Sequence, residues 1–390
     1  MGDSIMATII NADTSNGLKL TSDTSGELEL QSAGVTKAKI TSSGLTNASG
    51  NPITSQSGKN LIINGDMQIS QRGTSFANAS GYTLDRFTFT DTGSGEFTVS
   101  QSTDVPSGQG FASSMRLDCT TASGSLGSSD QIRQIHKIEG YNLQQLSYGT
   151  SSAKSLTMSF WVKSNKTGTY CVTLSQEDNG YASYTSEYTI SASNTWEKKT
   201  LTFDGDTSGV INNDNGAGLW VMFAFGAGSG RHITADTWSG SYGLATSNQV
   251  NLADSTSNEL YLTGVQLEVG TVATPFEHRP YDMELARCQR YYQECTMFSG
   301  GANTTTQIAV SLAFQQTMRA APTIGTTGPI QISVLTADAI QSSANVTALS
   351  GNERSYMVLS ANFTGLTTNR GCMGPRSSGN TNTYSMDAEL

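Results

Sequence analysis

Large apolar residues recur at every second position in short runs along most of the chain, and Ser, Thr, Gly, Asn and Asp separate the runs. Leu156, Met158, Phe160 and Val162 alternate with Thr157, Ser159, Trp161 and Lys163. A period of two puts one set on a buried face of a β-strand and the other on the opposite face. The same reading predicts strands at 61–63, 86–90, 96–100, 115–119, 131–138, 155–163, 170–174, 187–190, 196–203, 219–225 and 259–269. Many short strands with turn residues between them and almost no helical periodicity predict an antiparallel β-sandwich or barrel over 59–279.

Residues 1–58 read differently. Runs beginning at Gly17, Gly26 and Gly34 give three short strands, each with about two large apolar residues: Leu18 and Leu20, Leu28 and Leu30, Val35 and Ile40. So short a segment cannot bury a sufficient core alone. Association of copies from several chains around one axis would bury the leucine face jointly, and a flexible arm is the alternative. The segment from Asn47 to Lys59, with Pro52 among Ser, Gly and Gln, reads as a linker.

One helix is predicted, within 280–297. Pro280-Tyr281-Asp282 is a start signal with Asp282 as N-cap, and Leu285, Cys288 and Tyr292 form one stripe. Strands at 307–314, 330–335, 355–363 and 383–390 then predict a smaller C-terminal β domain over 298–390. The fold class is therefore all-β: a short-strand N-terminal segment, a central sandwich, one connecting helix and a small C-terminal sandwich.

Composition sharpens this picture. The 390 residues include 52 Ser, 50 Thr and 40 Gly, with only 14% charged residues. No apolar run reaches the ~18 to 20 residues that span a bilayer, and the N-terminus lacks a basic start, so neither membrane insertion nor a signal peptide is expected. A net charge of −10 disfavours nucleic acid as a partner. The five cysteines, Cys119, Cys171, Cys288, Cys295 and Cys372, are odd in number and form no CxxC pair, which predicts reduced thiols. Cys288 and Cys295, seven apart, are read as small hydrophobes of one helix face rather than metal ligands.

Signals for catalysis are few. His136, His232 and His278 share no short ligand spacing, there is no GxSxG elbow, and Gly226-Ala-Gly228-Ser-Gly230-Arg231 puts Arg231 where a nucleotide loop needs glycine. Glu177-Asp178 and Asp204-Gly-Asp206 are the closest carboxylate pairs, and no enzyme activity is expected from them. Asp204 and Asp206, followed by Ser208 and Gly209, match the first half of a calcium loop, but Asn215 stands where a bidentate Glu belongs. They are the candidate residues for a structural Ca²⁺, against the plainer reading of a polar hairpin tip; no other cofactor is expected. Tyr181, Tyr184, Trp238 and Tyr242 lie in Ser/Thr/Gly-rich stretches and are the candidate ligand residues, since aromatic faces in polar loops can pack on sugar rings. The alternative is that they cap the open ends of the sandwich, while Trp161 and Trp220, inside strands, read as structural.

The run Asn60-Leu-Ile-Ile-Asn-Gly-Asp66-Met-Gln-Ile-Ser-Gln-Arg72-Gly73, with Tyr82-Thr-Leu-Asp-Arg86-Phe87, resembles a family of bacteriophage virion structural proteins that includes tail-fibre-like chains. Ser159-Phe-Trp-Val-Lys163, Gly205 to Gly209, Asn251 to Asp254, Leu262 to Arg279 and Glu284 to Tyr292 extend the resemblance over about residues 60–292. The opening run and the Ser159–Lys163 strand are also similar to carbohydrate-binding modules, which implies a jelly-roll. The Gly17-to-Gly26 pattern looks like leading segments of phage fibres, which implies a homotrimer whose N-terminal segment attaches to other virion proteins. Taken together, the expectation is a non-enzymatic virion protein assembled in host cytoplasm, a trimeric tail fibre or spike that contacts host-surface glycan. The alternatives are a capsid-associated fibre or decoration protein and a polysaccharide-depolymerising spike.

Overall fold

Leu28, Ile40 and Leu45 stand side by side across three antiparallel strands, β1 (Leu28–Ser32), β2 (Val35–Thr41) and β3 (Gly44–Asn47). Period-two alternation makes this small sheet amphipathic. Glu29 and Lys39 pair at 3.0 Å on one face, while Leu30, Val35, Ile40 and Leu45 are all exposed. The computed structural model describes residues 28–32, 35–41, 44–47, 58–295, 298–302, 305, 307–326, 330–334, 340–343, 346–348, 356–362, 371–374 and 384–390. They belong to two units, 1–57 and 58–390. The strand expected at Gly17 and nearly all of the expected linker lie outside the described residues.

The second unit opens with β4 (Ser75–Phe76), β5 (Gly81–Tyr82), β6 (Phe87–Asp91), β7 (Glu96–Ser102), β8 (Ser114–Thr121) and β9 (Gln131–Glu139). It continues through β10 (Leu156–Ser164), β11 (Gly168–Gln176), β12 (Ala182–Ile190), β13 (Glu197–Phe203), β14 (Ala217–Ala227), β15 (Trp238–Ser239) and β16 (Glu259–Val269). Their pairing is nested: β11 with β12, β10 with β13, β9 with β14 and β8 with β16, all antiparallel. Folding that ribbon over yields one sheet ordered β13-β10-β16-β8-β7-β4 and another ordered β15-β12-β11-β14-β9-β6-β5. This is jelly-roll topology.

The two sheets meet through the apolar parity of each strand. Phe160 on β10 packs edge-on against Phe223 on β14 and Tyr188 on β12, with ring centres 5.2 and 5.0 Å apart. Each such fully buried side chain contributes about 1.5–3 kcal/mol. Cys119, Cys171 and Cys288 are free and buried, and burial raises the Cys119 thiol to about 11, helped by Asp118, Asp91 and Asp254.

Residues 61–63 form a turn-bound segment instead of the expected strand. Asn64 adopts a left-handed backbone (φ 62°), held because its side chain donates to the carbonyls of Ile69 (2.8 Å) and Asp85 (3.0 Å) and accepts from the Ile69 amide. Gly65 has a different reason to be glycine: a Cβ there would lie 2.1 Å from the Val265 carbonyl oxygen.

Helix α1 spans Tyr281–Gln289, and β17 (Tyr292–Cys295) follows it. Pro280 occupies the N-cap position, and Asp282, the expected cap, instead supplies negative charge to the first turn. The helix stops early because residues 292–295 pair in a sheet, so Cys288 and Cys295 do not share a helix face. Strands β18 (Phe298–Ala302), β19 (Gln307–Ala313), β20 (Thr323–Thr326), β21 (Ile330–Val334), β22 (Ile340–Ser343), β23 (Val346–Ala348), β24 (Tyr356–Asn362), β25 (Gly371–Gly374) and β26 (Tyr384–Asp387) complete the chain. They form a sheet β17-β26-β20 and a sheet β22-β21-β25-β18-β19-β24-β23.

A polar clasp joins the jelly-roll to β26 and the residues after it. Arg86, fully buried and left-handed (φ 71°), pairs with Glu389 and lies 3.4 Å from the centre of the Tyr291 ring. Arg72 reaches Asp387 (3.1 Å) and Glu389 (3.3 Å), and Tyr82 and Lys137 donate to the main-chain oxygen of Leu390 at 2.7 and 2.6 Å. Glu139 accepts from Arg290 at 2.9 and 2.7 Å. Much of the motif that carries the family resemblance, from Asn64 and Arg72 to Arg86 and Tyr291, is thus spent on holding elements together.

Candidate functional site

Strand β14 places Leu219, Val221, Phe223 and Phe225 in the core between the sheets. Trp220 and Met222 therefore face outward, away from that core. Trp220 is half-buried, and around it the outer face of the seven-stranded sheet carries alternating cations and rings. The Lys137 ammonium lies 4.5 Å from the Trp220 ring centre, and the Arg133 guanidinium lies 5.6 Å from Trp220 and 5.4 Å from Tyr242. Arg231 follows, 5.3 Å from Tyr242. Tyr181 touches both rings edge-on, 5.2 Å from Trp220 and 6.5 Å from Tyr242.

Hydrogen bonds fix this ladder. Glu177 accepts from the Trp220 indole N–H at 2.7 Å and from the Tyr181 hydroxyl at 3.2 Å. The Tyr242 hydroxyl accepts from Arg133 and donates to Gln131 at 2.7 Å. Burial lowers the Arg133 guanidinium pKa and, with Arg86 and Arg133 nearby, that of Lys137, which Glu177 opposes. Three cations and one carboxylate thus share a face with three aromatic rings.

Tyr181 has an unusual backbone. It follows Gly180 (φ 59°) and is itself left-handed at φ 62°. For a bulky residue this conformation costs on the order of 1–3 kcal/mol and persists where surroundings over-determine it. Here the Tyr181 amide donates to the Gln176 carbonyl at 2.8 Å, and its ring and hydroxyl are held as described above.

The four aromatic residues singled out from the sequence separate into two groups. Tyr181 and Tyr242 come together on the outer face. Tyr184 is buried and packs on Phe203 and Trp238 with ring centres 5.6 Å away in each case. Trp238 also meets Tyr148 edge-on at 5.9 Å and donates its indole N–H to the Asp204 carbonyl at 2.8 Å, so this pair closes one end of the core. Trp220, Arg133, Lys137, Arg231 and Glu177 were not picked out from the sequence as site residues. The available signal was a tryptophan on the outward parity of a strand whose other parity is wholly apolar.

Asp204 and Asp206 lie between β13 and β14. The Asp206 carboxylate accepts from Gln176 at the end of β11 (2.6 Å) and from the Ser208 amide of its own turn (2.8 Å), so protein hydrogen bonds occupy it. Among the described residues no group of three or more His, Cys, Asp or Glu is placed to hold a metal ion. Asp178 accepts from the Asn212 side chain at 2.7 Å.

No family model matches the chain, and no curated protein matches it. Solved structures do match. One is the enzymatically active domain of tailspike protein 4 of bacteriophage CBA120, at 14% identity over 54% of this chain and 21% of that one, with a TM-score of 0.30. A second is the xylan-binding CBM22-1 domain of Paenibacillus barcinonensis Xyn10C, at 11% identity over 56% of this chain and 100% of that one, TM-score 0.28. A third is a family 11 carbohydrate-binding module of Clostridium thermocellum, at 10% identity over 53% and 98%, TM-score 0.26. The matched part spans about a fifth of the length of that tailspike domain chain. No helix among the described residues is long and apolar enough to cross a membrane.

Proposed function

We propose that this chain is a non-enzymatic bacteriophage fibre or spike subunit whose jelly-roll contacts saccharide on the outer face of its seven-stranded sheet. The observation that carries the binding reading is the ladder of Lys137, Trp220, Arg133, Tyr242 and Arg231, edged by Tyr181. Aromatic rings pack on the apolar faces of sugars, while guanidinium, ammonium and carboxylate groups hydrogen-bond ring hydroxyls. Glu177 and Asp178 are engaged in hydrogen bonds with Trp220, Tyr181 and Asn212, which suits positioning better than proton transfer. The virion assignment rests on the sequence resemblance over about residues 60–292. The exposed apolar face of β1–β3 supports joint burial among copies, and a trimer would tie three weak sites together to gain avidity for repeating surface glycan.

The experiment is glycan-array binding by the full chain, repeated with Trp220→Ala. Retention of a defined glycan by the parent and its loss in the folded variant is the expected outcome. Equal retention by both removes the ladder from the function. A capsid-associated decoration protein is the second reading, carried by the same exposed N-terminal face, and immunogold labelling of intact particles separates it from a tail fibre.

A further inference from the structure

A pocket of about 320 Å³ lies where residues 58–63, the turns at 140–146 and helix α1 with the segment after it come together, apart from the ladder. Its apolar wall includes Leu61, Tyr291 closes one side, and the remaining wall is polar: Arg287, Arg290, Asn142 and Gln145. The volume sits at the lower end of the range for small-molecule sites.

The three arginines near the pocket are not equivalent. Arg279 holds two carboxylates, Glu277 and Glu284, each at 3.1 Å. Arg290 takes Glu139 in a two-pronged bond. Arg287, half-buried on α1, makes no hydrogen bond or ion pair among the described residues. Its five N–H donors thus take no acceptor from the described residues and stay open to a ligand that supplies oxygen. Burial and the neighbouring Arg279 charge lower its pKa, against Glu284 and Glu277. The side-chain amides of Asn142 and Gln145 are also without hydrogen bonds among the described residues, and they add neutral donors on the same wall.

We infer that this pocket binds the oxyanion group, carboxylate or phosphate, of a small organic ligand, with Arg287 as its principal partner. A guanidinium matches either group through two parallel N–H bonds. Asn142 and Gln145 would donate to remaining oxygens, and the carbon skeleton would lie against Leu61. Nothing in this assignment depends on the ladder or on saccharide binding there.

The test is isothermal titration of the full chain with glucuronate, with inorganic phosphate and with glucose as the uncharged control. One or both anions should bind saturably and glucose should not, and the better anion identifies the group. Binding should weaken as salt is raised. In Arg287→Gln affinity should fall at least about tenfold with the melting temperature unchanged, and Arg287→Lys should retain part of it as a point charge. Trp220→Ala should keep anion binding. Absence of anion binding by the parent, equal affinity in Arg287→Gln, or loss in Trp220→Ala instead would each overturn the assignment.

Discussion

Arg86 and Glu389, 303 residues apart in sequence, form an ion pair sealed from solvent, with the Tyr291 ring against the guanidinium. Its strength is conditional. Paired and hydrogen-bonded, two buried charges roughly offset their desolvation; with one removed, the other is left uncompensated. Glu389→Gln should therefore destabilise the second unit by about 3–5 kcal/mol. Arg86→Met combined with Glu389→Leu should recover most of that loss. Urea unfolding followed by tryptophan fluorescence measures both, and a single variant as stable as the parent would show that the pair does not hold the clasp.

Glu139 gives the clasp a pH dependence of defined sign. Burial by itself would raise this carboxyl, but the hydrogen bonds from Arg290 and Tyr291 outweigh it and hold the group below its ordinary 4.5. A carboxyl depressed in the folded state contributes stability that is fully present above its unfolded pKa and is lost as pH falls through the folded one. The stability difference between the parent and Glu139→Gln should be constant near neutrality and shrink below about pH 4.5. Asp66 and Asp85 are raised by burial and act in the opposite direction, so the two chains must be compared at each pH. A difference that grows on acidification would contradict the argument.

Tyr181→Gly separates binding from folding. Glycine relieves the left-handed backbone, which offsets the lost ring contacts worth about 0.5–1.5 kcal/mol. Stability should stay within about 1 kcal/mol of the parent, while any glycan affinity of the ladder drops. Unchanged affinity in differential titration would remove Tyr181 from the site.

The β1–β3 face predicts association. Full-length protein should sediment as a trimer, and deletion of residues 1–57 or the pair Ile40→Ser with Leu45→Ser should yield monomer. A monomeric full-length chain would end the joint-core argument.

The jelly-roll was legible because alternation survives burial: Leu156 to Val162 and Leu219 to Phe225 read the same in sequence and in the fold. Runs too short to show a period were not. Leu61-Ile-Ile looked like a strand, yet its backbone is held by the Asn60 side chain, by His136 and by Leu267 and Arg279, the last two about 200 residues further on. The helix was overextended for a related reason, since residues 292–295 keep an apolar stripe but are claimed by pairing with β26. For the ladder, sequence showed Tyr181 and Tyr242 but not their partners. Arg133 and Lys137 gain meaning only when β9 lies beside β14, and that adjacency is a property of the nested ribbon.

The separation of Arg86 from Glu389 also sets a clock. At about 5–20 residues per second of synthesis, roughly 15–60 s pass between the making of the arginine and of its counter-ion. The jelly-roll strands are all available long before that moment. During the wait the nascent domain carries an unmatched charge at its base and an unfilled place for β26. Completion of this fold therefore waits on translation, and chaperone capture of the nascent chain should persist until residues 384–390 are free to pair.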